Sequence, residues 1–143
     1  MGIRYSSLAA AEAYEAEQRE DLISDAQTLA RSIDSARAQG INLSDSELLG
    51  EGQRQIQRGL REAFLVDSTA QIRARGDRSY LFDFDPITEE QIEAASEQGL
   101  LVIEDWPNNE VRALVPMDAY VDRFLYVSRA VDGDILSLLD ETK

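Results

Sequence analysis

Residues 123–143, RFLYVSRAVDGDILSLLDETK, set the architecture. The first nine alternate with period two and are rich in aromatic and β-branched side chains, which is the pattern of a strand. Phe124, Tyr126, Ser128 and Ala130 fall on one face, and Leu125, Val127, Arg129 and Val131 on the other. From Asp132 the chain reads as the start of a helix with room for barely three turns. A helix launched straight from a core strand needs a reason, and the rest of the chain supplies the context.

Two more strands precede this one. They are LLVIED at 100–105 and EVRALVPM at 110–117, joined by WPNN as a tight turn that suits Pro107 and Asn108. Upstream of them a helix is signed at both ends. Thr88 and Gln91 form a capping box, Ile87 and Ile92 a hydrophobic staple, and Gly99 a stop. EAFLVDS at 62–68 and AQIRAR at 70–75 read as two short strands in a hairpin, followed by SYLFDFDP, a short apolar segment ending at Pro86.

The amino-terminal part is helical. Residues 5–38 contain no proline or glycine, so one long helix is expected at about 4–39. Leu22, Ala26, Leu29, Ile33 and Ala36 give its second half an apolar stripe. Its first half is nearly all polar and is expected to project or to pair weakly with another helix. Gly40 suits the C′ position. A second helix starts at Ser44, with Glu47 completing a capping box and Leu43 and Leu48 a staple. It is expected to run to Arg58 and stop at Gly59, with Gly50 and Gly52 weakening its middle. The order is helix, helix, two strands, helix, three strands, helix. Five strands joined through hairpins give an antiparallel sheet, and the fold class is α+β, in a single domain over 1–143 with its core at about 43–131.

Composition narrows the function. The 143 residues carry 28 acids against 14 bases, a formal net charge of −14. Such a surface repels polyanions, so nucleic acid and anionic lipid are disfavoured partners. Without histidine or cysteine there is no soft metal site and no Ser-His-Asp or Cys-His nucleophile. No cofactor is expected. No apolar run reaches the roughly 20 residues of a membrane-spanning helix, and Met1-Gly2 reads as an expression start. The charge is uneven: residues 54–78 hold six arginines against three acids. A solvated face paired with acidic neighbours is the commoner arrangement, and a local anion site the functional alternative.

Residues 110–142, EVRALVPMDAYVDRFLYVSRAVDGDILSLLDET, resemble the end of the extracytoplasmic domain of NtrY-type nitrogen-regulation sensor histidine kinases. In that family a strand like VRALV is followed by an acidic linker, a strand like FLYVSR, an Asp and a helix that enters the membrane. FLVDSTAQIRAR at 64–75 resembles the family's earlier strand-turn-strand, and the long acidic first helix resembles the segment leaving the preceding membrane span. The likeness covers most of 5–143 through the order and spacing of the pieces and has no single diagnostic motif. It implies a PAS/Cache-like sensor fold with a pocket on one sheet face. It also implies periplasmic placement, flanking transmembrane helices, and a parent kinase acting on a response regulator. The helix at 132–143 would then be the start of a membrane-directed helix. The fragment itself is expected to be non-catalytic. A homodimer through the first helix, at Tyr5, Leu8 and Tyr14, is the matching partner expectation, beside a frayed single helix.

Candidate ligand residues are Arg112, Tyr126, Arg129, Tyr80, Trp106 and Arg73. An arginine in an apolar strand must find a partner, so Arg112 and Arg129 would meet a ligand carboxylate or an acid such as Asp105 or Asp118. Tyr80, Trp106 and Tyr126 suit a small-molecule pocket, although core packing is the commoner fate of such side chains. Arg54, Arg58 and Arg61 would share a helical face able to hold an anion. The Asp83/Asp85 and Asp132/Asp134 pairs lack the ligand spacing of an EF-hand loop. The competing class is an acidic cytosolic interaction module that uses its long helix to bind a basic partner.

Overall fold

The computed structural model describes residues 2–56, 60, 62–76 and 87–141, with the backbone alone for 2–7, 106 and 138–141. The first helix, α1, spans Gly2–Ala38, about 55 Å of helix at 1.5 Å per residue. It ends as the glycine signal requires. Gly40 sits at φ 73°, its amide donates to the Arg37 carbonyl at 3.1 Å, and the Ile41 amide donates to Ala36 at 3.0 Å. Those two bonds make a Schellman cap.

Helix α2 covers Asp45–Gln55 and begins with the Ser44/Glu47 capping box. It does not run to Arg58. Ile56 is extended (φ −91°, ψ 99°), and its side chain packs on the main core, which ends the helix three residues early. Nor is α2 broken at its glycines. A Cβ on Gly52 would stand 2.1 Å from Leu29 Cδ1, so the missing side chain is what lets α2 approach α1. The close approach, and not a weak helix, accounts for the glycine.

The five strands are β1 Glu62–Val66, β2 Ile72–Arg75, β3 Leu101–Asp105, β4 Glu110–Pro116 and β5 Phe124–Ala130. They form one antiparallel sheet in the order β2-β1-β5-β4-β3. Both edges are thus short strands, and the two longest lie near the middle. Helix α3, Glu89–Gln98, crosses between the hairpin and the triplet, with the Thr88/Gln91 capping box and a left-handed Gly99 at φ 78°. Trp106–Asn108 form a single 3₁₀ turn into β4, closed by Asn109 at φ 55°. The apolar segment expected to end at Pro86 lies outside the described residues.

Strand alternation divides the core in two. Ala63, Leu65, Val111, Ala113, Val115, Leu125 and Val127 face α1, α2 and the last helix, α4 (Gly133–Glu141). Phe64, Val66, Leu114, Phe124 and Tyr126 face α3 through Ile92 and Ala95. Covered on both sides, β1 is buried at all five positions.

The path out of β5 runs along α1. Arg129 meets Gln18, Asp21 and Asp25, and then the Asp132 amide donates to the Tyr14 hydroxyl at 2.9 Å. Advancing from 129 to 132 therefore moves toward the amino-terminal end of α1. There α4 packs on α1, with Leu136 and Ala11 both fully buried. The front of α1 does not simply project; its helical partner is α4 of the same chain.

Candidate functional site

Arg112 sits on the α3-side face, opposite Ser128 of β5 and Ile103 of β3. Its position follows from alternation: it shares a face with Leu114 and Tyr126. It is only 7% exposed, and Glu62, Glu110 and Ser128 beside it are no more than 4% exposed. A buried guanidinium requires hydrogen-bonded partners. Nε donates to Glu110 at 3.3 Å, one terminal nitrogen donates to the Tyr126 hydroxyl at 3.1 Å, and the other pairs closely with Asp105. Tyr126 in turn stacks on Phe64 with ring centroids 6.1 Å apart. The Ser128 hydroxyl donates to Glu62 at 3.4 Å. The polar end of this face thus holds three carboxylates, one arginine and two hydroxyls, while the end under α3 is apolar.

Arg129 is on the other face. Its Nε donates to Gln18 at 2.8 Å, and its terminal nitrogens lie 3.6 Å from Asp25 and 3.9 Å from Asp21. Arg112 and Arg129 therefore do not converge on one ligand. The one-residue offset across the β4–β5 pair, where Arg112 faces Ser128 and Arg129 faces Val111, sends them to opposite sides. Each arginine has acids of the chain as partners, as the structural alternative anticipated for Asp105.

Arg73 is in β2, next to the β1–β2 turn, and its Nε donates to Asp67 at 2.7 Å. Asp67 organises that turn. Burial raises its pKa, but the Thr69 hydroxyl, the Gln71 amide, Arg73 and the Thr69 amide all donate to the carboxylate, and the net effect is strongly downward. Trp106 is placed by its backbone at the β3–β4 turn. Tyr80 lies outside the described residues, as do Arg58 and Arg61. Arg54 is in the last turn of α2.

A second polar node had no signal in the sequence beyond its residue types. Arg37 Nε donates to the Tyr120 hydroxyl at 3.0 Å, Tyr120 donates to Asp45 at 2.7 Å, and Arg37 also pairs with Asp45. It ties the end of α1, the start of α2 and the β4–β5 loop together. Burial raises the Asp45 pKa and the two hydrogen bonds lower it, with a net fall. Close by, Asp34 accepts the Asp118 and Ala119 amides at 3.2 and 3.0 Å.

The described hollows are open ones. One of about 250 Å³ lies between α1 and α2, lined by Ser32, Ala36, Gln39 and Glu51 among others. Two more, of about 360 and 270 Å³, lie along α2 and β2. Of the candidate ligand residues whose side chains are described, Arg73 alone lines one of these three hollows. Among the described residues no acidic group is arranged to hold a metal ion, and no helix is long and apolar enough to cross a membrane. No protein-family model and no curated protein matches the chain.

Proposed function

We propose that the chain is the extracytoplasmic signal-sensing domain of a membrane-bound two-component sensor histidine kinase of the nitrogen-regulation type. In this reading it is non-catalytic, has a PAS/Cache-like fold and pairs as a homodimer along α1. It passes its stimulus to transmembrane helices flanking it. The observation that carries the reading is the packing of α4 on the amino-terminal part of α1, anchored by Tyr14 and Asp132. Two helices leaving a sheet side by side at one end are suited to enter one bilayer, and a shift of one against the other is an output a membrane can transmit.

The long helix on one face of a five-stranded antiparallel sheet and the crossing helix α3 on the other agree with a PAS/Cache-like arrangement. Strand β5 is the mechanical link. Its Tyr126 and Ser128 belong to the Arg112 cluster, while the neighbouring Arg129 grips α1. A small ligand or anion entering the Arg112 cluster would compete with Asp105 and Glu110. It would bias the sheet only by its difference in affinity for the two arrangements.

The test is a topology measurement on the intact protein, with alkaline phosphatase or β-galactosidase inserted at the exposed α3–β3 turn. Active phosphatase and inactive galactosidase are expected. The opposite pattern overturns the reading and favours the cytosolic interaction module.

A further inference from the structure

We propose that the open edge of β2 is a docking site for an extended peptide segment rich in aspartate and glutamate. The proposal is independent of whether the domain reports to a kinase.

Among the described residues β2 pairs with β1 alone, so one side of it is a sheet edge. The Gly76 amide donates to the Ala63 carbonyl at 2.8 Å. By strand alternation the Arg75 amide and carbonyl then point away from β1, toward that edge. An unpaired edge is a template for a further strand, and adding a strand is a standard mode of peptide recognition.

The edge is also concave. A hollow of about 270 Å³ runs along all of β2 from Ser46, lined by Ile72, Arg73, Ala74 and Arg75. Through Ser46 and Arg75 it continues into the hollow of about 360 Å³ that reaches Arg54 and Gly76. The trough is thus walled by α2 on one side and floored by β2.

Its charge selects the occupant. Arg54, Arg73 and Arg75 line the joined hollows against Glu47 and Glu51, in a chain whose net charge is −14. Arg73 spends its Nε on Asp67 yet leaves its side chain 49% exposed. Arg75 is exposed and has no ion-pair partner among the described residues. Elsewhere the acidic surface repels an acidic peptide, so attraction is confined to this trough. Glu47 and Glu51 at its far wall limit the length of anion it accepts, which favours a short peptide over a polynucleotide.

The test uses the 143-residue chain and a fluorescent hexapeptide of alternating valine and aspartate. Expected are saturable binding, amide NMR shifts concentrated at residues 72–76, and affinity that falls about tenfold as screening salt is added. Arg75→Glu is expected to weaken binding about tenfold or more without lowering the melting temperature, while Arg31→Glu on the exposed side of α1 leaves it unchanged. Several outcomes overturn the proposal: no binding, equal weakening by Arg31→Glu, shifts centred on the Arg112 cluster, or equal affinity for a proline-interrupted acidic peptide. Tighter binding of single-stranded oligonucleotide, or occupation of the edge by a second copy of the chain, overturns it as well.

Discussion

The Tyr14 hydroxyl accepts the Asp132 amide at 2.9 Å, joining the front of α1 to the second residue after the last strand. That bond satisfies a helix-entry amide and fixes where α4 departs. Tyr14→Phe removes it and keeps the ring. The expected loss is about 1 kcal/mol, or roughly 4 °C in melting temperature. Hydrogen exchange should speed up in α4 while β1 and β5 stay protected. Unchanged exchange in α4 would show that the bond does not anchor the helix.

Gly52 of α2 stands against Leu29 of α1, where an added Cβ would lie 2.1 Å from Leu29 Cδ1. Alanine at 52 should favour an isolated helix by about 1 kcal/mol. In the protein its Cβ meets a leucine that is 1% exposed and has little room to move. Gly52→Ala is therefore expected to destabilise by roughly 1–3 kcal/mol. Adding Leu29→Ala should relieve the clash, so the pair is less destabilising than the sum of the single changes. Additive effects in urea denaturation would rule out the contact.

Acid should weaken the protein partly through Asp67. Its carboxyl pKa is depressed in the folded state, so its contribution is fully present above the unfolded value near 4 and is lost as pH falls below it. Asp45, also lowered, acts in the same direction. Asp67→Asn should be less stable at neutral pH and should show a flatter loss of stability between about pH 5 and pH 2.5. Urea midpoints across that range check it; a slope equal to that of the parent chain would exclude Asp67 as a source.

Arg112 binds Asp105, Glu110 and Tyr126 from one planar fork. Arg112→Met leaves buried carboxylates without that partner and is expected to cost about 3–5 kcal/mol. Arg112→Lys keeps the charge but has a single ammonium for three widely spaced acceptors, so it should recover only part of the loss. Full recovery by lysine would show that charge alone matters at this position.

Much of the local structure was legible in single residues. The Ser44/Glu47 and Thr88/Gln91 boxes start α2 and α3 where those pairs stand, and Gly40 and Gly99 end α1 and α3 in left-handed geometry. The period-two pattern of β5 placed Tyr126 and Ser128 opposite Arg129 correctly. The same pattern could have flagged Glu62, an acid in phase with Phe64 and Val66 in an otherwise apolar strand, as a member of the Arg112 cluster.

Other features depended on residues far apart in the chain. The end of α2 was misplaced because Ile56 leaves the helix to join the core, and Gly52 read as a flaw because its neighbour Leu29 is 23 positions away. Arg37, Tyr120 and Asp45 carry no shared motif. Caps, turns and alternation are set by interactions within about five residues, and the sequence by itself determined those. Which acid meets which arginine, and which helix lies against the front of α1, were decided by tertiary packing, because 28 acids offer many partners of equal chemistry and only the folded sheet brings particular ones within bonding distance.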